Sequence, residues 1–120
     1  MHELALIQSV VESVVNVAVA NQAKSVVSVT LRIGVMRDFV DALAEQYFGY
    51  CAAGTIAKGA KLVILKACVS VQCTECSHLR EATRAEVMES GEFLCLNCGS
   101  RELQLISGDE FMIESVGVLG

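Results

Sequence analysis

Gln72-Cys73-Thr74-Glu75-Cys76 and Cys95-Leu96-Asn97-Cys98-Gly99 interrupt a chain that otherwise alternates helical and strand patterns. The two C-x-x-C pairs are separated by 18 residues. Each two-residue spacer lets the backbone curl until both sulfurs face one point, and Gly99 permits the tight turn after the second pair. A tetrahedral zinc ion takes four thiolates at about 2.3 Å, and paired C-x-x-C motifs at this separation are a zinc-site pattern. Cys73, Cys76, Cys95 and Cys98 are therefore the expected zinc ligands. With all four positions filled by protein, no place remains for water, so the zinc is structural rather than catalytic. Two disulfides, a redox C-x-x-C and an iron–sulfur cluster are competing readings. A reducing compartment disfavours the disulfides, and the symmetry of the two pairs favours zinc. Cys51 and Cys68 are read as small buried hydrophobes.

Outward from the cysteines the pattern becomes regular. On the N-terminal side, 60–71 reads as a strand, apolar on both faces over Leu62, Val63, Ile64 and Leu65 and hence central in its sheet. On the C-terminal side, 110–118 returns Phe111, Ile113 and Val116 as a last strand. Further upstream, Leu4, Ile7, Val11, Val14 and Ala18 step by three and four, which predicts an amphipathic helix ending near Asn21. Val27, Val29, Leu31 and Ile33 alternate with Ser28, Thr30 and Arg32, which predicts a half-buried strand closing at Gly34. A second helix is expected from about Arg37, with Val40, Leu43, Tyr47 and Cys51 on one stripe and Gly54 as its end. The expected fold is α+β: two helices on a three-stranded, mainly antiparallel sheet, with a four-cysteine, zinc-ribbon-like domain inserted. Residues 1–71 plus 109–120 form the α/β domain, and 72–108 form the zinc-binding domain.

Composition narrows the function. Over 120 residues, hydrophobic side chains make up 53% and charged ones 19%, a globular rather than disordered balance. The net charge is −5, and four zinc-bound thiolates would make it more negative. Phosphate-backbone binding draws on clustered Lys and Arg, so nucleic acid is not an expected partner. The start of the chain lacks the basic stretch of a signal peptide, and no apolar run approaches the roughly 18 residues that span a bilayer. A cytoplasmic protein without a membrane partner is expected. No G-x-S-x-G, no P-loop and no Cys–His nucleophile pair is evident, so no catalytic residue is assigned and the chain is read as non-enzymatic.

Met1-His2-Glu3-Leu4-Ala5-Leu6 opens the chain. Together with Ile33-Gly34, Gly54-Thr55-Ile56-Ala57-Lys58-Gly59-Ala60, the two C-x-x-C pairs followed by Gly99-Ser100, and Gly108-Asp109-Glu110, it resembles the HypA/HybF family. These are the nickel metallochaperones of hydrogenase maturation, and the resemblance covers essentially the whole chain. It implies Ni(II) bound as cargo at Met1, His2 and Glu3, with Zn(II) structural. It also implies delivery to the hydrogenase large-subunit precursor, with a HypB-type GTPase as partner and urease maturation factors in some organisms. The chain is then a monomer or homodimer. Three features depart from the family's usual pattern: Leu96 in place of a frequent proline, Ser77 in place of a common glycine, and a longer spacing between the pairs.

The chemistry of the opening residues suits that role. An α-amine, a deprotonated backbone amide and the His2 imidazole can close adjacent chelate rings around one ion, and Ni²⁺ accepts such planar nitrogen sets. The bulk of His2 predicts that Met1 is retained. Glu3 can extend the donor set through its backbone nitrogen or its carboxylate, or serve as an acidic first-turn residue. His78 is either an additional nickel ligand or a surface histidine beside a knuckle. The alternative function is a zinc-ribbon module that binds protein or nucleic acid, which explains the cysteines but leaves Met-His-Glu without a role.

Overall fold

The computed structural model describes residues 3–89 and 93–120. Along the chain run α1 (Glu3–Ala20), β1 (Ser25–Gly34), α2 (Asp41–Ala52), β2 (Lys61–Ala67), β3 (Val69–Cys73), β4 (Leu79–Ala82), α3 (Arg84–Glu89), β5 (Leu103–Ser107) and β6 (Phe111–Leu119). Among the described residues the strands form two three-stranded sheets, ordered β2-β1-β6 and β4-β3-β5. The expected class is therefore present: mixed helices and sheet, with a cysteine-bearing segment set apart.

The chain divides into two compact units. One holds α1, the chain up to Arg32, Phe39–Leu65 and Met112–Gly120; the other holds Ile33–Asp38 and Lys66–Phe111. The divisions fall at 32/33, 38/39, 65/66 and 111/112. The reason is visible in the pairing. The expected single strand over 60–71 breaks at Cys68, and its second half, β3, pairs antiparallel with β4 and β5. Val69 to Gln72 face Ala82 to Leu79, while Ser70 faces Ser107 and Cys73 faces Leu103.

In the first unit α1 ends as its sequence suggests. The Ala23 N–H donates to Ala18 O and the Gln22 N–H to Val19 O, with Gln22 at φ 58°, a Schellman closure around Asn21. The buried face of α1 is Ile7, Val10, Val11, Val14 and Ala18. By length and composition α1 could cross a membrane, contrary to the sequence reading, because its valines and alanines outweigh Gln8, Ser9, Glu12 and Asn16. Its apolar stripe is instead spent on the protein core.

The first sheet corrects two expectations. Its central strand is β1, not β2. Val29, Leu31 and Ile33 of β1 are fully buried, whereas Leu65 of β2 is exposed. An apolar run alone does not place a strand at the centre. β1 pairs antiparallel with β6, since Lys24 N–H donates to Leu119 O at one end and Gly34 N–H to Glu110 O at the other. The alternation also slips near the start of β1, burying Val26 and exposing Val27; Val26 N–H is drawn to Ile56 O. The third correction concerns α2. It buries Ala44, Phe48 and Ala52, one residue around from the expected stripe, leaving Val40 and Leu43 exposed. Two alanines on the buried face let the helix approach closely, and Phe48 supplies the volume that the aliphatic core otherwise lacks.

In the second unit the buried apolar side chains among the described residues are few: Ile33, Ala67, Val69 and Val71, besides Cys73 and Cys95. The segment after β1 is tied in by backbone bonds, Val35 N–H to Ala67 O and Met36 N–H to Gly108 O. The Arg37 Nε donates to Asp109 O at 2.8 Å. The short α3 starts with a capping box, Glu86 N–H to Thr83 Oγ1 and Thr83 N–H to Glu86 Oε1, both 3.1 Å. Gly34 lies against the Gly108 and Asp109 backbone so closely that any Cβ there would collide with it. Gly34→Ala is expected to lower unfolding free energy by about 2–3 kcal/mol, as overpacking against backbone does. Denaturant titration checks this, and an unchanged midpoint contradicts it.

Candidate metal centre

The four cysteines of the two C-x-x-C motifs converge. Cys73 ends β3, Cys76 lies in the turn before β4, and Cys95 and Cys98 lie in the turn before β5. The Cys73 and Cys98 Sγ atoms stand 3.6 Å apart, as do those of Cys76 and Cys95, and all four lie within 4.8 Å of one another. A disulfide requires about 2.05 Å, so these are four free thiols. Ligands about 2.3 Å from a tetrahedral ion stand about 3.8 Å from each other. The quartet therefore fits one tetrahedral ion with a small inward adjustment.

The local chain explains the convergence, because the two motifs build the same hairpin twice. Ser77 N–H donates to Cys73 O and Gly99 N–H to Cys95 O, each at 2.9 Å. Cys73 N–H donates to His78 O and Cys95 N–H to Ser100 O, again at 2.9 Å. Both turns close through a residue of positive φ, Ser77 at 64° and Gly99 at 75°. Thr74 then ties the first knuckle to the strand after the second, its N–H and Oγ1 both donating to Glu102 O.

Donors converge on the sulfurs unevenly. Asn97 N–H and Cys98 N–H reach Cys95 Sγ at 3.4 and 3.5 Å, and Asn97 Nδ2 reaches Cys76 Sγ at 3.4 Å. The Asn97 amide, helped by the His78 backbone N–H, lowers the Cys76 thiol from 9.0 to about 6. The Cys98 N–H, with Asn97 N–H behind it, outweighs burial and lowers Cys95. At Cys98 the Ser100 N–H favours the thiolate, but the Cys73 thiol, burial and the other two cysteines push it up to about 12. Without a cation the cluster holds thiolate charge only in part, because a further thiolate would face its neighbours' charge.

The family description "Hydrogenase/urease nickel incorporation, metallochaperone, hypA" matches residues 1–118. The chain belongs to the HypA family. The hydrogenase maturation factor HypA of Aquifex aeolicus is 32% identical over 116 residues, covering 97% of this chain and 96% of that protein. The HypA of Methanopyrus kandleri is 37% identical over 134 residues, covering 97% and 92%. The solution structure of a HypA protein superposes with a TM-score of 0.78 at 24% identity, covering 99% of this chain and 97% of that one. That of the Ni metallochaperone HypA from Helicobacter pylori gives 0.68 at 23%, covering 99% and 98%. At such identities these two likenesses speak for the HypA fold alone.

Of the other residues singled out in the sequence, Met1 and His2 lie outside the described residues. Glu3 opens α1, and its Oε1 accepts the Val40 N–H at 2.8 Å. His78 is exposed, and its carbonyl closes the first knuckle. Cys68 is exposed in the break between β2 and β3, and Cys51 is half-buried on α2, so neither is the deeply buried hydrophobe expected. A break in a ladder and a rotated helix face both escape a reading by periodicity. Asn97, the donor to Cys76, was not anticipated, although its place inside the second C-x-x-C made it a candidate.

Two outcomes follow from this geometry. Ser77 holds a left-handed conformation that costs a non-glycine residue about 1–2 kcal/mol, so Ser77→Gly is expected to raise the stability of the metal-loaded protein by up to about 1 kcal/mol once glycine's chain entropy is set against it. A thermal melt showing a loss would contradict it. The second concerns pH. The folded pKa of Cys76 lies below its unfolded value of 9.0, so its contribution to stability is full above that value and lost as pH falls through about 6. The Cys98 pKa is raised, so in the metal-free protein its contribution is present below 9.0 and lost as pH rises through about 12. A bound cation requires all four thiolates, so affinity for the quartet is expected to fall as pH drops, more steeply below about 6 as Cys76 also takes a proton. Chelator competition across that range measures it, and a flat profile contradicts it.

Proposed function

We propose that this chain carries Ni(II) at its N-terminus and holds Zn(II) as a structural ion, with the two metals in divided roles. The observation that carries the reading is family membership over residues 1–118 in a chain that opens Met1-His2-Glu3. Zinc is the ion for the quartet because tetrahedral all-thiolate donor sets suit it and its coordination is closed to water. Structural zinc supplies about 10–16 kcal/mol of apparent binding free energy at neutral pH. A unit with so few buried apolar side chains needs a contribution of that size.

Nickel is the cargo. Its donors are the α-amine of Met1, the imidazole of His2 and Glu3, in a nitrogen-rich set that nickel accepts in a plane. A carrier must also release its metal, which an open set at the end of a chain allows. The same donors bind Cu²⁺ more tightly by the Irving–Williams order, so delivery depends on docking and on which metal is available. Relatives named hydrogenase maturation factors point to a [NiFe] hydrogenase large-subunit precursor as client. A HypB-type GTPase is the expected partner, urease maturation factors form a second route, and the cytoplasm is the expected compartment. The chain acts as a carrier rather than a catalyst.

The deciding experiment is metal analysis of the untagged chain after nickel loading, beside His2→Ala. One zinc in both proteins and one nickel in the parent alone is the expected result; nickel retained by His2→Ala contradicts the reading. Because the α-amine titrates near about 7.7–8.0 and histidine near about 6.5, nickel affinity is expected to decline steeply below neutrality. Calorimetry showing affinity independent of pH would contradict nitrogen ligation.

A further inference from the structure

The Glu3 carboxylate has a partner that the nickel reading does not use. Its Oε1 accepts the N–H of Val40 at 2.8 Å. Val40 is the N-cap of α2, extended at φ −96° and ψ 109°, and makes no side-chain cap of its own. Valine has no oxygen to offer. In a capping box the third helical residue reaches back to the N-cap N–H with a Glu or Gln side chain. Here that residue is Leu43, which has no acceptor either. The missing half of the box comes from 37 residues upstream, from the first residue of α1. A carboxylate at the N-terminus of α2 is also favoured by the helix dipole.

We infer that Glu3 is a positioning residue: its carboxylate is a strap that pins the first turn of α1 to the start of α2, and it stays there when nickel binds. This rests on the reading of the N-terminus as the nickel site; it assigns the carboxylate of Glu3 to the scaffold and leaves the backbone nitrogen of Glu3, which every Glu3 variant keeps, as its nickel donor. Met1 and His2 are two and one residues from Glu3 in the sequence, and two residues span at most about 7 Å. Pinning Glu3 therefore confines any metal held by the α-amine and the His2 imidazole to the neighbourhood of the α2 N-terminus. A partner that takes the metal then meets it against a fixed helix end.

The test uses the full-length, zinc-loaded, untagged chain and its Glu3→Gln, Glu3→Ala and His2→Ala variants. Nickel stoichiometry, the nickel ligand-field spectrum and exchange of the Val40 amide are read before and after loading. In the parent, Val40 stays protected after nickel is added. Glu3→Gln keeps an acceptor oxygen, so it preserves both the Val40 protection and the spectrum. Glu3→Ala preserves the stoichiometry and the spectrum, while Val40 exchange rises roughly 5–10-fold, the scale of a lost cap. Loss of Val40 protection on loading the parent, or a changed spectrum in either Glu3 variant, makes the carboxylate a ligand and overturns the inference. Unchanged Val40 exchange in Glu3→Ala also overturns it. Nickel retained by His2→Ala instead removes the N-terminal nickel site itself, an outcome separate from any of these.

Discussion

Four sulfurs held within 4.8 Å of one another form a cluster that cannot carry four negative charges unaided. Although the Ser100 N–H favours its thiolate, hydrogen bonding with Cys73, burial and the other two cysteines keep Cys98 protonated above its ordinary range, while donors to Cys76 and Cys95 pull theirs down. A divalent cation bound by all four sulfurs would remove the conflict and tie the two knuckles together. Among the described residues the apolar core around β3 and β5 is thin, so that part of the chain has the most to gain from such a tie. Cys73 and Cys95, the two buried members, do the work of core residues besides being proposed ligands.

The geometry that allows this is a hairpin used twice. Equivalent backbone bonds, Ser77 to Cys73 and Gly99 to Cys95, bring each cysteine pair to one point, and a positive-φ residue closes each turn. The repetition is not complete. Glycine occupies the strained position in one knuckle and serine in the other, and Asn97 serves sulfurs of both. The second knuckle thus carries most of the electrostatic shaping, and the first carries the strain.

The α/β unit obeys a different constraint. With aromatics at 5% of the chain, its core is built from short aliphatic side chains, and helices must come close for those to touch. Alanines at 44 and 52 on the buried face of α2 meet that need, with Phe48 between them. The bond between Glu3 and Val40 belongs to the same economy of design. A helix whose N-cap and third residue, Val40 and Leu43, carry no side-chain acceptor takes one from the neighbouring helix, and the residue that supplies it follows Met1 and His2 in the chain.

Spacing and periodicity are properties of the chain itself, and whatever they govern was legible in the sequence: the four cysteines that converge, the extent of α1, the end of α2 near Gly54, and the alternation that makes β1 a strand. The family pattern was legible for the same reason, since its motifs are short and contiguous. Tertiary structure decided what depends on a neighbour. The break at Cys68 arises because β3 finds partners in β4 and β5. The face that α2 buries depends on how closely α1 can approach. The central place of β1 depends on which strands flank it, and the occupation of the Glu3 carboxylate depends on an unmet N–H far along the chain. A residue's own type sets what it can bind, but only the folded chain sets which partner stands within about 3 Å of it.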